Sequence, residues 1–218
     1  ENHSLFNGTI FFLALCHYKL YHYETAEKYF TQQKELLSKL SGEKDKSYTA
    51  CLINLAALYR DMGRYQQSEA LYIQAVSINK VILGENDPDY STCLNNLASL
   101  YQHIGQYAKA EQLFNESNNN LKRILGENNA LYATSLNNLA TLYSQMGLYE
   151  KAKPIFIHVL ELRKTVLGET HRDYGASLNN LAALYGNLGL YDKAEPLYLD
   201  AINTQRKAKG DNHPDYAG

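Results

Sequence analysis

The stretch Tyr132–Tyr143 reads Y-A-T-S-L-N-N-L-A-T-L-Y, and it recurs with small changes at Tyr48–Tyr59, Tyr90–Tyr101 and Tyr174–Tyr185. Successive copies are evenly spaced along the chain, and Tyr216 stands at the next step. A fixed period of this size marks stacked supersecondary units, each of which buries its apolar face only against its neighbours. Inside a copy, Leu94, Leu97, Ala98 and Tyr101 lie three or four residues apart, which puts them on one face of a helix. Gly63, Gly105, Gly147 and Gly189 follow at a common phase, where a tight turn between helices calls for a left-handed residue. A second helical run then carries Tyr107, Ala110, Leu113, Phe114, Ile124 and Leu125 and closes at Gly126, in phase with Gly84, Gly168 and Gly210.

This pattern divides the chain into a worn first repeat at 1–42, four well-matched repeats at 43–84, 85–126, 127–168 and 169–210, and the start of a further repeat at 211–218. The first repeat is atypical because Phe11 and Phe12 stand where the later copies carry paired asparagines. Entry into each first helix is signalled by a capping oxygen: Asp87 ahead of Pro88, and Thr170 as the expected cap in the last repeat. Pro154 and Pro196 fall inside second helices and are expected to bend them. Asn118, Asn119 and Asn120 are poor helix formers in the middle of another.

Lys and Arg number 21 against 23 Asp and Glu, a net charge of −2. Nucleic-acid and membrane-surface binders carry a basic excess, so neither is expected as a partner. No apolar run approaches the length of a membrane span. Glu1 opens the chain without Met or a targeting leader, which leads to the expectation of a monomeric piece of a longer cytoplasmic protein. Cys16, Cys51 and Cys93 are expected as small buried thiols. His17 and His22 are five apart, a spacing that does not place both on one helical face for a metal. Phosphate-binding, dinucleotide-binding and zinc-protease motifs are all missing from the sequence, so no enzyme activity, cofactor or metal is expected.

A period of this length also suits other repeat arrays, but the order within a copy decides between them. Leu94-x2-Leu97-Ala98-x2-Tyr101 followed by Ala110-x3-Phe114 is the large–large–small–aromatic and small–aromatic order of a tetratricopeptide repeat, with Leu94 in the tryptophan position. The recurring L-N-N-L-A-x-L-Y, G-x-Y-x-K-A-E-x-L-Y and L-G-E-x-x-P-D-Y resemble kinesin-light-chain-type tetratricopeptide repeats. That resemblance implies an all-α solenoid of antiparallel helix pairs stacked into a right-handed superhelix, with first helices lining a concave groove. It also implies a non-catalytic scaffold that binds a protein or peptide. Similar repeats precede a caspase-like CHAT protease domain in some bacterial proteins, so a regulatory region of a larger enzyme is the alternative.

Groove positions carried over from the family are Asn54 and Arg60 in the first full repeat, and Asn95, Asn96, Ser99 and His103 in the second. In the third they are Asn137, Asn138, Thr141 and Gln145, and in the fourth Asn179, Asn180 and Asn187. One column is identical throughout: Asn54, Asn96, Asn138 and Asn180. A carboxamide donates and accepts at once, so a ladder of them suits an extended peptide backbone, and the corresponding asparagines are implied by the resemblance to contact cargo peptides. The competing reading is that each amide bonds a neighbouring helix and fixes repeat stacking. The adjacent column of Asn95, Asn137 and Asn179 is interrupted at Ile53, which favours the later repeats as the binding site. Basic groove residues are confined to Lys19 and Arg60, too few for an acidic peptide tail.

Overall fold

The computed structural model describes residues 2–209, with side chains from residue 7 to residue 208. The expected start of a further repeat at 211–218 lies outside the described residues. All secondary structure among the described residues is helical, in ten consecutive α-helices. They are α1 (Asn2–Lys19), α2 (Tyr23–Leu40), α3 (Lys46–Asp61), α4 (Tyr65–Ile82), α5 (Pro88–His103), α6 (Tyr107–Leu125), α7 (Ala130–Gln145), α8 (Tyr149–Leu167), α9 (Arg172–Asn187) and α10 (Tyr191–Lys209). They pack as antiparallel pairs in chain order, in two compact blocks, Glu1–Leu113 and Phe114–Gly218, with the division falling within α6. In the N-terminal block α1 pairs with α2 and α3 with α4, while α3 also lies against α2 and α5. In the C-terminal block α7 pairs with α8 and α9 with α10, while α9 also lies against α8 and α7.

The sequence period is written into the helix ends. α3, α5, α7 and α9 are each 16 residues long and start at one phase of the repeat, at Lys46, Pro88, Ala130 and Arg172. Their caps share one phase too: the side chains of Asp45, Asp87 and Asn129 each accept a bond of 2.8 Å from the backbone N–H two residues on. In the last repeat that phase falls on His171, not on the expected Thr170. The His171 Nδ1 accepts from the Asp173 N–H at 3.1 Å, so an imidazole lone pair replaces the carboxylate or amide oxygen. Pro88 sits in the first turn of α5 as expected. α8 and α10 continue unbroken through Pro154 and Pro196.

The turn inside each pair needs a left-handed residue. Gly63, Gly105, Gly147 and Gly189 have φ between 72° and 77°, and an added Cβ would meet nothing there, so the dihedral alone selects glycine. In the worn first repeat that phase holds Tyr21, at φ 59° with its side chain 77% exposed. A left-handed conformation costs an ordinary residue about 1–2 kcal/mol, and this side chain has little packing to offset it. Tyr21→Gly is therefore expected to stabilise the protein by about 0.5–1 kcal/mol once the extra flexibility of unfolded glycine is subtracted, read as a higher urea midpoint. The same turn folds His22 back beneath α1, so the His17 and His22 Nδ1 atoms come within 3.5 Å despite their unpromising spacing. The Tyr29 ring stacks on His17.

Two columns of small residues let the paired helices approach. Ala14, Ala56, Ala98, Ala140 and Ala182 on first helices are all 0% exposed. Ala26, Ser68, Ala110, Ala152 and Ala194 form the matching buried column on second helices. The two columns face each other: Ser68 Oγ donates to the Ala56 carbonyl at 2.7 Å. Around them pack clusters such as Leu37, Tyr48, Cys51, Leu52 and Ala75, and Leu121, Tyr132, Ala133 and Leu162. Cys51 and Cys93 are buried as expected, but Cys16 is exposed. It shares the phase of the buried Leu58, Leu100, Leu142 and Leu184, yet among the described residues α1 has no preceding second helix to cover that side. The weak point of α6 is Asn118, which is buried with both side-chain polar atoms unpartnered. Its phase is apolar in neighbouring repeats, at Val76 and Leu160.

Candidate functional site

The candidate site grows from the exposed side of the first helices, where the alanine and leucine columns leave one stripe free. Asn54 and Asn96 in the N-terminal block, and Asn138 and Asn180 in the C-terminal block, are all partly exposed. They are not equivalent in their bonding. Asn180 Nδ2 donates to Asn137 Oδ1 at 2.9 Å and so ties α9 to α7. The same bond from Asn96 would have to end on Ile53, which offers no acceptor. Among the described residues, Asn54, Asn96 and Asn138 make no side-chain hydrogen bond. Asn137 thus occupies the Asn180 amide, whereas Ile53, in the equivalent position, leaves the Asn96 amide available.

The other sequence-derived positions sort by what they touch. Asn95 is buried and donates to the Ser91 carbonyl one turn back. Ser99 and Thr141 each donate a hydroxyl proton to the carbonyl four residues earlier, at 2.9 and 2.8 Å, and keep only an acceptor for a ligand. Arg60 is spoken for as well. Its Nε and Nη2 both bond Asp61 Oδ1 at 2.8 Å, and Asp61 also accepts from the Tyr18 hydroxyl. His103 lies against Tyr65, with Nε2 and the phenol oxygen 3.4 Å apart. Gln145 and Asn187 are exposed at the ends of α7 and α9. Asn179 lines a cavity of about 850 Å³ beside α10 with His171, Asp173 and Gln205.

The tyrosines at 59 and 101 are structural. Tyr59 donates to Glu27 at 3.0 Å and Tyr101 to Glu69 at 2.8 Å, with Arg64 and Lys109 over the respective rings. Burial first, and the acidic partner second, push both phenols above their ordinary range. Among the described residues no three His, Cys, Asp or Glu side chains converge as a metal site. No helix among them is long and apolar enough to cross a membrane. Two features that sequence reasoning passes over are the buried Asn79 and Arg163, which share one phase on second helices where Leu37 and Leu121 are apolar.

The tetratricopeptide repeat profile matches residues 7–80, 48–123 and 131–207. The chain belongs to the tetratricopeptide repeat family. Among solved structures, these tetratricopeptide repeats resemble BtubC (BKLC) from P. vanneervenii at 25% identity, over 94% of this chain and 81% of that one, with a TM-score of 0.76. They also resemble a kinesin-light-chain-like protein of nearly identical TPR-like repeats from Podosopora anserina, at 22% identity over 96% of this chain and 98% of that one, with a TM-score of 0.75. A third likeness is to the Rap conjugation gene regulator of plasmid pLS20, solved in complex with the Phr* peptide. There the identity is 14%, over 92% of this chain and 53% of that one, with a TM-score of 0.76. The last two share a fold with this chain. No curated protein matches it.

Proposed function

We propose that this chain is a non-catalytic interaction array that holds an extended segment of a partner protein against the exposed faces of α3 and α5. The observation that carries this reading is the pair Asn54 and Asn96, two carboxamides at one phase on adjacent first helices, partly exposed and without side-chain partners among the described residues. An amide left in this state offers a donor and an acceptor together, which is what a peptide unit requires. Ala57 and Ser99, one turn on, are small enough for a backbone to come close. The peptide complex of the structurally similar Rap regulator is in keeping with this use of the fold. Asn138 is the counterpart in the C-terminal block, while Asn180 serves the stacking of α9 on α7.

The test uses a peptide selected from a random library on the wild-type chain. Asn54→Ala with Asn96→Ala is expected to weaken its binding at least about fivefold, by loss of two to four hydrogen bonds of about 0.5–1.5 kcal/mol each, read by fluorescence anisotropy. The thermal midpoint should move by no more than about 2 °C, because neither amide holds another helix. Unchanged affinity would sink the reading, and so would a double variant that unfolds.

A further inference from the structure

Asn79 lies near the end of α4, 3% exposed, and its Nδ2 donates to Cys93 Sγ at 3.0 Å. Its Oδ1 has no hydrogen-bond partner. A buried carbonyl oxygen left this way loses its hydration with nothing in return, so it marks either a liability or an acceptor waiting for a donor. Here a cavity decides between them. Asn79 lines a space of about 390 Å³ bounded by α3, α4 and α5, whose walls include Thr49, Ala50, Ile53, Asp89 and Thr92. The space lies about one helical turn from Asn54 and Asn96 along the same helices.

The chain itself shows what fills such a space. Two repeats further on, at the same phase, Arg163 takes the place of Asn79. It is 5% exposed and reaches between α7 and α9. Its Nη1 donates to the Asp173 carbonyl at 3.0 Å and to Ser177 Oγ at 2.9 Å, and its Nη2 to Thr134 Oγ1 at 3.4 Å. Asp89, Cys93 and Ala50 are the counterparts of Asp173, Ser177 and Thr134. One block therefore holds a guanidinium in this gap between first helices, and the other holds a cavity with acceptors around it. Charge agrees. Lys46 at the rim is paired with Asp89 at 3.1 Å and Asp87 at 3.9 Å, leaving one negative charge over.

We infer that the cavity beneath Asn79 receives the guanidinium of an arginine side chain from the bound partner segment. Asn79 Oδ1 and the Asp89 backbone carbonyl accept from it, the carbonyl as that of Asp173 accepts from Arg163, and the Asp89 carboxylate supplies the charge. The inference rests on the segment-binding reading above and adds its specificity: an arginine-bearing segment, not an acidic one. An arginine also suits the depth, since its methylene stem packs on Ala50 and Ile53 while its planar head meets the acceptors.

The probe is N-acetyl-L-arginine methylamide, titrated into the full chain and followed by amide NMR shifts. Saturable shifts are expected at Ala50, Ile53, Asn79, Asp89 and Cys93. The citrulline counterpart, of the same shape without the charge, should bind at least tenfold more weakly. Asn79→Leu installs the residue that Leu37 and Leu121 place at this phase and is expected to keep the fold while abolishing saturation. Asn79→Arg, an internal copy of Arg163, should abolish it too by filling the space. Equal binding of citrulline, unsaturable arginine shifts, or saturation that survives both variants would overturn the proposal. The Asn54 and Asn96 variants separate the two ideas: if they leave selected peptides bound but the arginine probe still saturates at Asn79, the backbone clamp fails and the pocket stands, and if peptides are lost while arginine and citrulline bind alike, the pocket fails alone.

Discussion

Ala56→Leu will lower the thermal midpoint by about 5–10 °C, the consequence of roughly 2–4 kcal/mol of lost stability. Ala56 is fully buried, and the Ser68 hydroxyl closes on its carbonyl at 2.7 Å, so α3 and α4 are in direct contact at this level. Three added carbons have no free volume to enter. Either α4 moves out, which opens the contacts on both sides of it, or side chains leave their rotamers. The Ser68 bond is lost in either case, at about 1 kcal/mol. The neighbouring Ala57→Leu is the control, because Ala57 is partly exposed on the free side of the same helix and should cost less than about 1 kcal/mol. Circular dichroism melts of the two variants side by side check this. Equal melting temperatures would mean that the alanine column does not set the spacing of the pair.

The same column explains why the architecture can be read from the sequence while much of the site cannot. An alanine or leucine that returns in every repeat reports a backbone relation that all of them share, so Leu52, Leu94, Leu136 and Leu178 are enough to orient each first helix. Caps follow for the same reason at Asp87, whereas Thr170 misleads because histidine is an uncommon cap and the phase of Asp87 falls on His171. Pairing is different, since it depends on what stands opposite. Asn180 and Asn96 share a phase, yet one bonds Asn137 and the other faces Ile53, so an identical column does two different things. Arg163 and Asn79 escape notice because their phase is apolar at Leu37 and Leu121 and follows no common pattern, and only the cavity around Asn79 and the three bonds of Arg163 reveal the gap they share. Cys16 misleads by the opposite route: its phase is buried, but burial requires a neighbour on the covered side.

Alkali will destabilise this protein well before it ionises the folded form. Burial pushes the Cys51 thiol up to about 12, the Cys93 thiol up to about 11 and the Tyr72 phenol up to about 12, and burial with the Glu69 contact pushes Tyr101 up to about 12. Raised values mean that the folded state holds protons the unfolded state releases, so the stabilisation is fully present below the unfolded pKa of about 9 for the thiols and about 10 for the phenols. It is lost as pH rises from there through the folded values. One pKa unit corresponds to about 1.4 kcal/mol, so Cys51, Cys93 and Tyr72 together should remove several kcal/mol by pH 11 or so, enough to bring unfolding near room temperature for a typical domain. Cys51→Ser with Cys93→Ser isolates the thiol share, because serine does not titrate and already occupies this buried phase at Ser135 and Ser177. Melting temperatures measured from about pH 8 to about pH 11 should fall more steeply for the wild-type chain than for the double variant, with the tyrosines accounting for the fall that remains. Parallel curves for the two proteins would show that the thiols are not held protonated by the fold, and a flat wild-type curve would remove the tyrosines from the account as well.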